Sequence, residues 1–425
     1  MPSYDGTLSP PHPVPSVARA VQLRLRRVRA HPALNPGALE EAWQERGGYP
    51  VDPDHRPHLV AAIDWLARAQ DVTPDGGIAR GYSLAWDPYF ESKGWQPAYP
   101  ETTGYIIPTL YEAARHLQRP DLAVRAERAA RWELEIQLAS GAVRGGVIGQ
   151  ETSPAVFNTG QVLLGWLAAF AETGSGIFAG GARRAACYLL ATLDEDGVWR
   201  RGNSGFANPR ATLYNARAAW ALAEAGRRLG APEFRAAAAK ALWAVAQHQH
   251  DDGWFPDCCL SDPQRPLLHT IAYTIRGLLE GGRVLEDERL LAAAACAAER
   301  IALAVGPDGR LPGRFAAEWR GAASWSCLTG QVQMANIWLR LFDITRDRAW
   351  LEPVDPVLRF VKSTQNRTCP DPGVRGGIKG SSPLGGEYGP YQILNWATKF
   401  FVDALLRDER RVAGITSVGS TAVLA

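Results

Sequence analysis

Long apolar segments and an excess of one charge are both absent from this sequence. The first 30 residues contain no apolar core typical of a secretion signal, and no run of about 18 apolar residues occurs anywhere. The 46 basic residues nearly balance the 44 acidic residues, which leaves a formal net charge of +2. We therefore expect a cytoplasmic protein that has neither nucleic acid nor a membrane as its partner.

Cysteine is scarce, and its spacing does not suggest a metal site. Of the six cysteines, only Cys258 and Cys259 are close together, and no CxxC motif occurs. Adjacent cysteines rarely pair with each other or bind one metal ion, so we expect reduced thiols in a reducing compartment. A zinc site combining cysteines, including Cys327, with His269 is not favoured. We expect no metal and no cofactor.

The sequence does contain an internal repeat. Four turns place a glycine at the same point of the repeat, and each glycine follows the previous one by 56 residues: Gly141, Gly197, Gly253 and Gly309. A second series keeps the same interval: Tyr105, Gln161, Arg217 and Tyr273. Chance does not keep two series in step over four units, so the pattern predicts a repeat architecture.

Each repeat contains an apolar segment followed by an amphipathic segment rich in alanine and arginine. The apolar helices are predicted to begin near residues 101, 154, 210, 267, 325 and 388. Helices that are apolar on nearly all sides are buried, and amphipathic helices cover them. The last apolar helix pairs with the earliest amphipathic one, residues 58–77, which closes a ring. We predict an all-α (α/α)6 toroid of six inner and six outer helices.

This toroid is predicted to occupy residues 51–411. Residues 1–50 form an N-terminal arm and a basic helix in this interpretation, and residues 412–425 form a tail rich in small residues.

The predicted architecture resembles the (α/α)6 toroid enzymes, which include glycoside hydrolases, polysaccharide lyases, sugar 2-epimerases and isoprenoid cyclases. The resemblance covers about residues 55–410. The strings "PETTGY", "HTIAYTIRGLLE" and "NWATKFF" are similar to toroids encoded near bacterial exopolysaccharide genes. The turn "QHDDGWF" is similar to a turn of the isoprenoid cyclases. The resemblance implies a bacterial carbohydrate-active enzyme whose partner is an oligosaccharide or polysaccharide. The oligomeric state stays open.

In such toroids the ligand lies where the inner helices begin, because helix N-termini present free N–H groups. The predicted catalytic residues are Glu101, His269, Tyr273 and Glu387. The predicted substrate-binding residues are Tyr82, Trp86, Asp87, Trp95, Asn158, Gln161, Tyr214, Arg217, Trp325, Gln331 and Tyr391. Two long connections, residues 80–101 and 366–390, are predicted to lie over the same opening, the first as an aromatic functional loop or lid.

Several reactions fit these residue types. Hydrolysis needs two carboxylates across the glycosidic bond, and it is favoured because acids are plentiful near the predicted opening. A uronate lyase needs a base, an acid and a carboxylate neutraliser, which Asn158, His269, Tyr273 and Arg217 supply. A sugar epimerase is weakened by the absence of a second histidine at an inner-helix start. An isoprenoid cyclase is disfavoured by the polar wall, and a non-catalytic oligosaccharide-binding protein stays open.

Overall fold

The structure is a computed structural model that describes residues 25, 28, 31, 34–150, 153–203, 212–259 and 262–414. Its α-helices follow one another as α1 (Pro36–Glu45), α2 (Arg56–Asp71), α3 (Pro100–Leu117), α4 (Pro120–Glu135), α5 (Val156–Thr173), α6 (Gly176–Thr192), α7 (Ala216–Arg228), α8 (Pro232–Ala246), α9 (Leu268–Leu285), α10 (Glu288–Ala302), α11 (Leu328–Thr345), α12 (Val354–Thr364) and α13 (Asn395–Val412). Short 3-10 turns occupy Leu213–Asn215, Ala317–Trp319 and Arg348–Leu351.

The inner ring consists of α3, α5, α7, α9, α11 and α13, as the apolar segments predict. Neighbouring inner helices approach closely at small residues. A side-chain carbon at Gly104 would lie 2.6 Å from the Val162 backbone, and one at Gly160 would lie 2.7 Å from that of Ala218. The ring closes where α13 meets α3, because Thr109 donates a hydrogen bond of 2.6 Å to Asp403. The toroid prediction is confirmed.

The outer ring consists of α2, α4, α6, α8, α10 and α12. Glycines with positive φ end the outer units and pack against the next outer helix: Gly76, Gly141, Gly197, Gly253, Gly309 and Gly376. Gly309 has φ of 80°, and a side-chain carbon there would lie 2.0 Å from the Pro356 carbonyl oxygen in α12. Glycine is needed at this point because it alone combines that φ with so close an approach. The turns that recur every 56 residues therefore make the same contact with the next outer helix around the ring.

Helix α2 packs against α13, so the first amphipathic helix does seal the ring beside the last apolar one. His55, just before α2, contacts Asp408 of α13 with 2.9 Å between Nε2 and Oδ2. Ahead of α2, α1 is fixed by a buried ion pair of 2.8 Å between Glu41 and Lys379. Much of the predicted basic helix falls outside the described residues, and the domain limits stay predictions.

A small sheet covers one part of the ring opening. Strands β1 (Gly81–Asp87) and β2 (Ser92–Trp95) form an antiparallel hairpin. The short pairs β3 (Phe315–Ala316) with β4 (Arg320–Gly321), and β5 (Ser326–Cys327) with β6 (Ser381–Ser382), are antiparallel as well. Strand β7 (Gln392–Leu394) completes the first sheet by pairing with β1, so its order is β2-β1-β7. The segment 80–101 is thus largely a hairpin, because a strand from the other end of the chain supports it.

Three further findings concern the cysteines, a membrane-spanning helix and a metal site. All six cysteines are free thiols. Among the residues that the structure describes, no helix is long and apolar enough to cross a membrane. Within the same residues, no group of three or more His, Cys, Asp or Glu side chains is arranged to hold a metal ion.

Candidate functional site

A cavity of ≈ 360 Å³ opens where the inner helices begin. Its lining comes from α3, α5, α9, α13 and the segments that precede them, from the 3-10 turn before α7, and from the β1–β2 hairpin. The lining residues are Arg80, Asp87, Tyr89, Phe90, Tyr99, Glu101, Tyr105, Gly146, Val147, Gln150, Phe157, Asn158, Tyr214, His269, Thr270, Tyr273, Tyr388 and Trp396. This is the location that the sequence predicts for a ligand.

Glu101 lies in the first turn of α3, at the helix N-terminus. Burial raises the pKa of its carboxyl to about 7, while a hydrogen bond from Tyr99 and the charges of Arg80 and Arg217 oppose the rise. The Tyr99 hydroxyl donates to Glu101 Oε2 at 2.5 Å. A carboxyl whose pKa is near neutrality holds its proton in part of the molecules at neutral pH, so Glu101 can donate a proton to a ligand.

His269 lies in the first turn of α9 and is 4 % exposed. Its Nδ1 is 2.9 Å from the side-chain oxygen Oε1 of Gln333. Burial lowers the pKa of the imidazole to about 4, so the ring is neutral at neutral pH. Because an amide oxygen only accepts, this contact assigns the ring proton to Nδ1. The Nε2 lone pair is then available to take a proton from a ligand or a water molecule.

Asp87 stands at the end of β1 and is held by four donors. Its Oδ1 accepts from the backbone N–H groups of Tyr89 and Phe90, at 2.8 and 3.2 Å. Its Oδ2 accepts from the side-chain amides of Gln392 at 2.5 Å and Gln96 at 3.5 Å. These contacts occupy most of the acceptor positions of a carboxylate. Asp87 is therefore a fixed charge in the wall and a weaker candidate for proton transfer than Glu101.

Arg80 carries the cation of the cavity wall. Its Nη1 donates to Gln96 at 2.6 Å and to Gln392 at 2.9 Å. The guanidinium carbon lies 4.8 Å from the ring centre of Trp396 and 5.2 Å from that of Phe90. No hydrogen bond from its other N–H groups is made to any described residue. A planar cation fixed in this way suits a carboxylate, which it can bind through two parallel hydrogen bonds.

The floor of the cavity is formed by Tyr105 and Tyr273. Below them lies the Arg217 guanidinium, whose carbon is 5.8 and 5.3 Å from the two ring centres and 5.4 Å from that of Phe400. The Tyr273 hydroxyl faces Tyr105 without a hydrogen bond of ordinary geometry among the described residues. The central opening of the ring is thus filled below the cavity, so the site is a pocket that is closed at its base and open at its mouth.

The structure brings six of the sequence-predicted site residues to this cavity: Asp87, Glu101, Asn158, Tyr214, His269 and Tyr273. Gln161 and Arg217 are close by but lie beneath the floor, where Arg217 Nε donates to Gln161 Oε1 at 2.5 Å. The floor residues lie between these two side chains and the cavity. Gln161 and Arg217 therefore do not contact a ligand directly in this arrangement.

Glu387 is a correction. Its side chain is 59 % exposed and forms an ion pair of 3.1 Å with Arg314, so it does not line the cavity. The next residue, Tyr388, lines it instead and accepts a hydrogen bond of 2.9 Å from the Trp396 indole. In an irregular loop no regular period fixes which of two adjacent side chains reaches the site, so the sequence did not distinguish Glu387 from Tyr388.

Three hairpin aromatics also lie away from the lining. Tyr82 donates a hydrogen bond of 2.7 Å to Asp371, and Trp95 packs 5.2 Å from the ring of Trp65. Trp86 is half-buried and does not line the cavity. These residues support the sheet, because alternate strand positions face opposite sides and only some of them meet the opening. The hairpin tip does reach the cavity, through Tyr89 and Phe90.

The remaining predicted residues have packing roles. Gln331 is fully buried and donates to the Gly309 carbonyl at 2.5 Å, so it supports a turn. Trp325 packs in a small cluster with Leu267. Tyr391 has φ of 58° and its backbone pairs with Leu84 of β1, outside the lining.

The site residues predicted from the sequence do not include several lining residues, chiefly Arg80, Tyr99, Phe90, Phe157, Tyr388 and Trp396. Arg80 and Tyr99 lie near the two ends of the segment 80–101, and no spacing rule distinguishes them from surface residues. In α13 the position that corresponds to the 56-residue series is Phe400, whose ring stacks 5.5 Å from that of Tyr105. The Thr398 hydroxyl, which accepts from the Ile378 N–H at 2.9 Å, gives the true alignment, since Thr159 makes the same contact to Val143.

No protein-family model matches the chain, and comparison with curated proteins finds no relative. Solved structures do match. An unsaturated glucuronyl hydrolase specific for heparin is 18 % identical with a TM-score of 0.66, covering 84 % of this chain and 97 % of its own. Cellobiose 2-epimerase from Bacillus thermoamylovorans is 13 % identical with a TM-score of 0.64, covering 84 % and 98 %.

A D-mannose isomerase is 12 % identical with a TM-score of 0.63, covering 85 % of this chain and 100 % of its own. At these identities the likeness concerns the arrangement of the helices, and the site has to be judged on its own residues. The chain therefore shares the (α/α)6 toroid fold of these carbohydrate-processing enzymes.

Proposed function

We propose that the protein is a carbohydrate-active enzyme that hydrolyses the glycosidic bond of a terminal acidic sugar. The observation that carries the proposal is Glu101, a carboxyl with a pKa of about 7 in the wall of the cavity. A glycosidase needs such a group to protonate the leaving oxygen. The solved structures of the same fold include a protein named as a glucuronyl hydrolase, which supports this choice.

In this mechanism Glu101 gives its proton to the glycosidic oxygen as the bond to the anomeric carbon breaks. His269 Nε2 takes a proton from the attacking water, whose oxygen forms the new bond to that carbon. The fixed charge of Asp87 stabilises the positive charge that develops on the sugar ring. His269 replaces Glu387 as the second partner, because Glu387 points to solvent.

Cavity size and charge limit the substrate. A volume of ≈ 360 Å³ is near the lower end of the ligand-pocket range of about 300–1,000 Å³. The floor formed by Tyr105 and Tyr273 closes the pocket, so a chain enters by its end. The Nε and Nη2 groups of Arg80 supply N–H donors for hydrogen bonds to a carboxylate, and aromatic rings face the apolar sides of the sugar. The site thus fits the terminal residue of a uronate-containing oligosaccharide.

A second reaction is favoured by one specific observation. His269 is a neutral base with an open Nε2, and Glu101 is an acid, which is the pair needed to move a proton at a carbon beside a carbonyl group. Sugar epimerisation or isomerisation would use this pair. The solved structures that share the fold include a named epimerase and a named isomerase.

One incubation separates these reactions. Oligosaccharides ending in a uronate, and matched neutral ones, are treated with the protein in ¹⁸O-labelled water and in D₂O. Hydrolysis gives new reducing ends, and ¹⁸O enters the anomeric position during cleavage, which early time points distinguish from slow exchange. Epimerisation or isomerisation places deuterium on carbon without chain cleavage, and lyase action creates an unsaturated product that absorbs near 235 nm. Either of the last two results, without ¹⁸O uptake, would contradict the hydrolase.

A further inference from the structure

A second, basic groove lies on the outer surface of the toroid, along α2. It has a volume of ≈ 480 Å³ and is lined by Arg56, Pro57, Val60, Ala61, Asp64, Arg68, Arg367 and Arg375. Four of these eight residues are arginines. We call it the α2 groove. It shares no lining residue with the cavity described above.

The arginines of the α2 groove are held in place without being neutralised. Arg68 donates to the carbonyl oxygens of Pro372 and Arg375, at 3.2 and 2.5 Å. Arg367 donates to the Pro50 carbonyl at 3.2 Å. Backbone carbonyls fix the direction of a guanidinium but leave its full charge in place. Each of these side chains therefore keeps further N–H donors for a ligand.

Carboxylates within reach do not balance this charge. Asp64 is the acid of the groove, and it is already paired with Arg119 at 3.0 Å. Arg56 approaches Glu409 no closer than 4.0 Å. Burial and the neighbouring charge of Arg375 lower the pKa of Arg68, and the charge of Asp64 only partly opposes them. Like charges held together in this way repel each other, and a bound anion would remove that cost.

The spacing of the charges describes the shape of the anion. Arg56 and Arg68 are twelve residues apart on α2, which corresponds to about 3.3 turns and about 18 Å along the helix. A single inorganic anion cannot contact both ends. The groove also carries the apolar surfaces of Val60 and Ala61 and no aromatic ring on which a nucleic acid base could stack. An extended acidic carbohydrate fits these features better than a nucleic acid.

We propose that the α2 groove binds an acidic polysaccharide chain outside the catalytic cavity, through its carboxylate or sulfate groups. The inference rests on the proposed function, since it assigns the same substrate class to a second site. Such a site would hold a long chain near the enzyme while the cavity acts on chain ends. Short substrates would not reach it.

The test compares two double variants with equal loss of charge. Arg367→Gln/Arg375→Gln alters the groove, and Arg300→Gln/Arg320→Gln alters exposed arginines elsewhere. Both are made in a Glu101→Gln background, and binding of a long polygalacturonate oligomer is measured by calorimetry at several salt concentrations. We expect about tenfold weaker binding for the groove variant, the cost of losing charge-assisted contacts, and less than a twofold change for the control.

Four results would overturn the inference: equal binding by both variants, equal affinity for a neutral glucan, tighter binding of inorganic phosphate than of the oligomer, or preference for single-stranded DNA. Because binding is measured directly, the outcome does not depend on turnover. In the Glu101-containing protein, the groove variant is expected to keep full activity on short substrates. The wild-type protein could show no turnover while oligomer binding is still weakened by the groove variant. That result would contradict the proposed function and support the binding site in the α2 groove.

Discussion

Gln161 and Arg217 occupy the same position in consecutive 56-residue repeats, and Arg217 Nε donates a hydrogen bond of 2.5 Å to Gln161 Oε1. Arg217 is 1 % exposed and lies among the rings of Tyr105, Tyr273 and Phe400. The repeat register thus becomes a direct contact at the centre of the ring. It holds a cation beneath the floor of the cavity.

Gln161→Leu is expected to destabilise the protein by about 3 kcal/mol, because it leaves a buried guanidinium without its partner. Adding Arg217→Met should recover part of that loss, since it removes the unpaired charge. Urea denaturation of the two single variants and the double variant measures the coupling. Strictly additive free energies of unfolding would show that the contact does not stabilise the ring.

The helical framework could be predicted from the sequence because its causes are local and repeated. Apolar segments predict the inner helices, and four glycine turns at equal intervals indicate the 56-residue repeat. The turns at Gly76 and Gly376 do not keep the 56-residue interval, because the β1–β2 hairpin and the loop before α13 interrupt it. The hairpin and this loop also form the opening of the cavity. The 56-residue repeat is therefore interrupted in the same segments that form the site.

Side chains at helix starts were easier to place than side chains in loops. Glu101 and His269 follow from helical geometry, which fixes their direction once the helix start is known. Arg80 depends on a sheet formed by β1 and β7, two segments far apart in the chain. The choice between Glu387 and Tyr388 depends on a loop conformation that no periodicity describes. Which loop side chains line the cavity therefore depends on contacts between distant segments of the chain, and local sequence patterns do not indicate such contacts.

Gly309→Ala is expected to cost about 3 kcal/mol, through an unfavourable φ and overpacking against α12. The matched control is Gly149→Ala, which has φ of 87° but no heavy atom within 4 Å of the added carbon. That variant should cost about 1 kcal/mol, the contribution of φ alone. Thermal and urea denaturation compare the two. Equal losses would mean that the turn does not stabilise the contact with the neighbouring outer helix.

Glu133 of α4 is fully buried, and neither carboxylate oxygen has a hydrogen-bond partner among the described residues. Burial raises its pKa well above the usual range. A raised pKa in the folded state means that folding favours the protonated form, so stability falls as pH rises above the unfolded-state value. Glu133→Gln should remove that fall and add about 1–3 kcal/mol at alkaline pH.

The control for this pH effect is Glu127→Gln on the same helix, where the side chain is 38 % exposed. Denaturation curves between about pH 5 and pH 9 give the slope for each protein. A wild-type slope that persists in Glu133→Gln would assign the effect to another group.

Gln333 is expected to set the tautomer and the pKa of His269. Gln333→Leu removes the acceptor of the Nδ1 proton and should lower kcat by about tenfold to 100-fold. Gln333→Glu places a carboxylate beside the ring, which raises the pKa of His269 above about 4. The acidic limb of the pH–rate profile should then move to higher pH. An unmoved limb in an active Gln333→Glu variant would exclude His269 as the base.

The central claim is that Glu101 donates a proton to the leaving group. In the wild-type protein, kcat/KM should fall above pH of about 7 as the Glu101 carboxyl loses its proton. The direct measurement compares Glu101→Gln on a sugar leaving group and on a dinitrophenyl leaving group attached to the same terminal sugar. A dinitrophenolate leaves without a proton, so the account predicts near-normal turnover of that substrate and a loss of about 10²–10⁴-fold with the sugar leaving group. An equal loss with both leaving groups would contradict it.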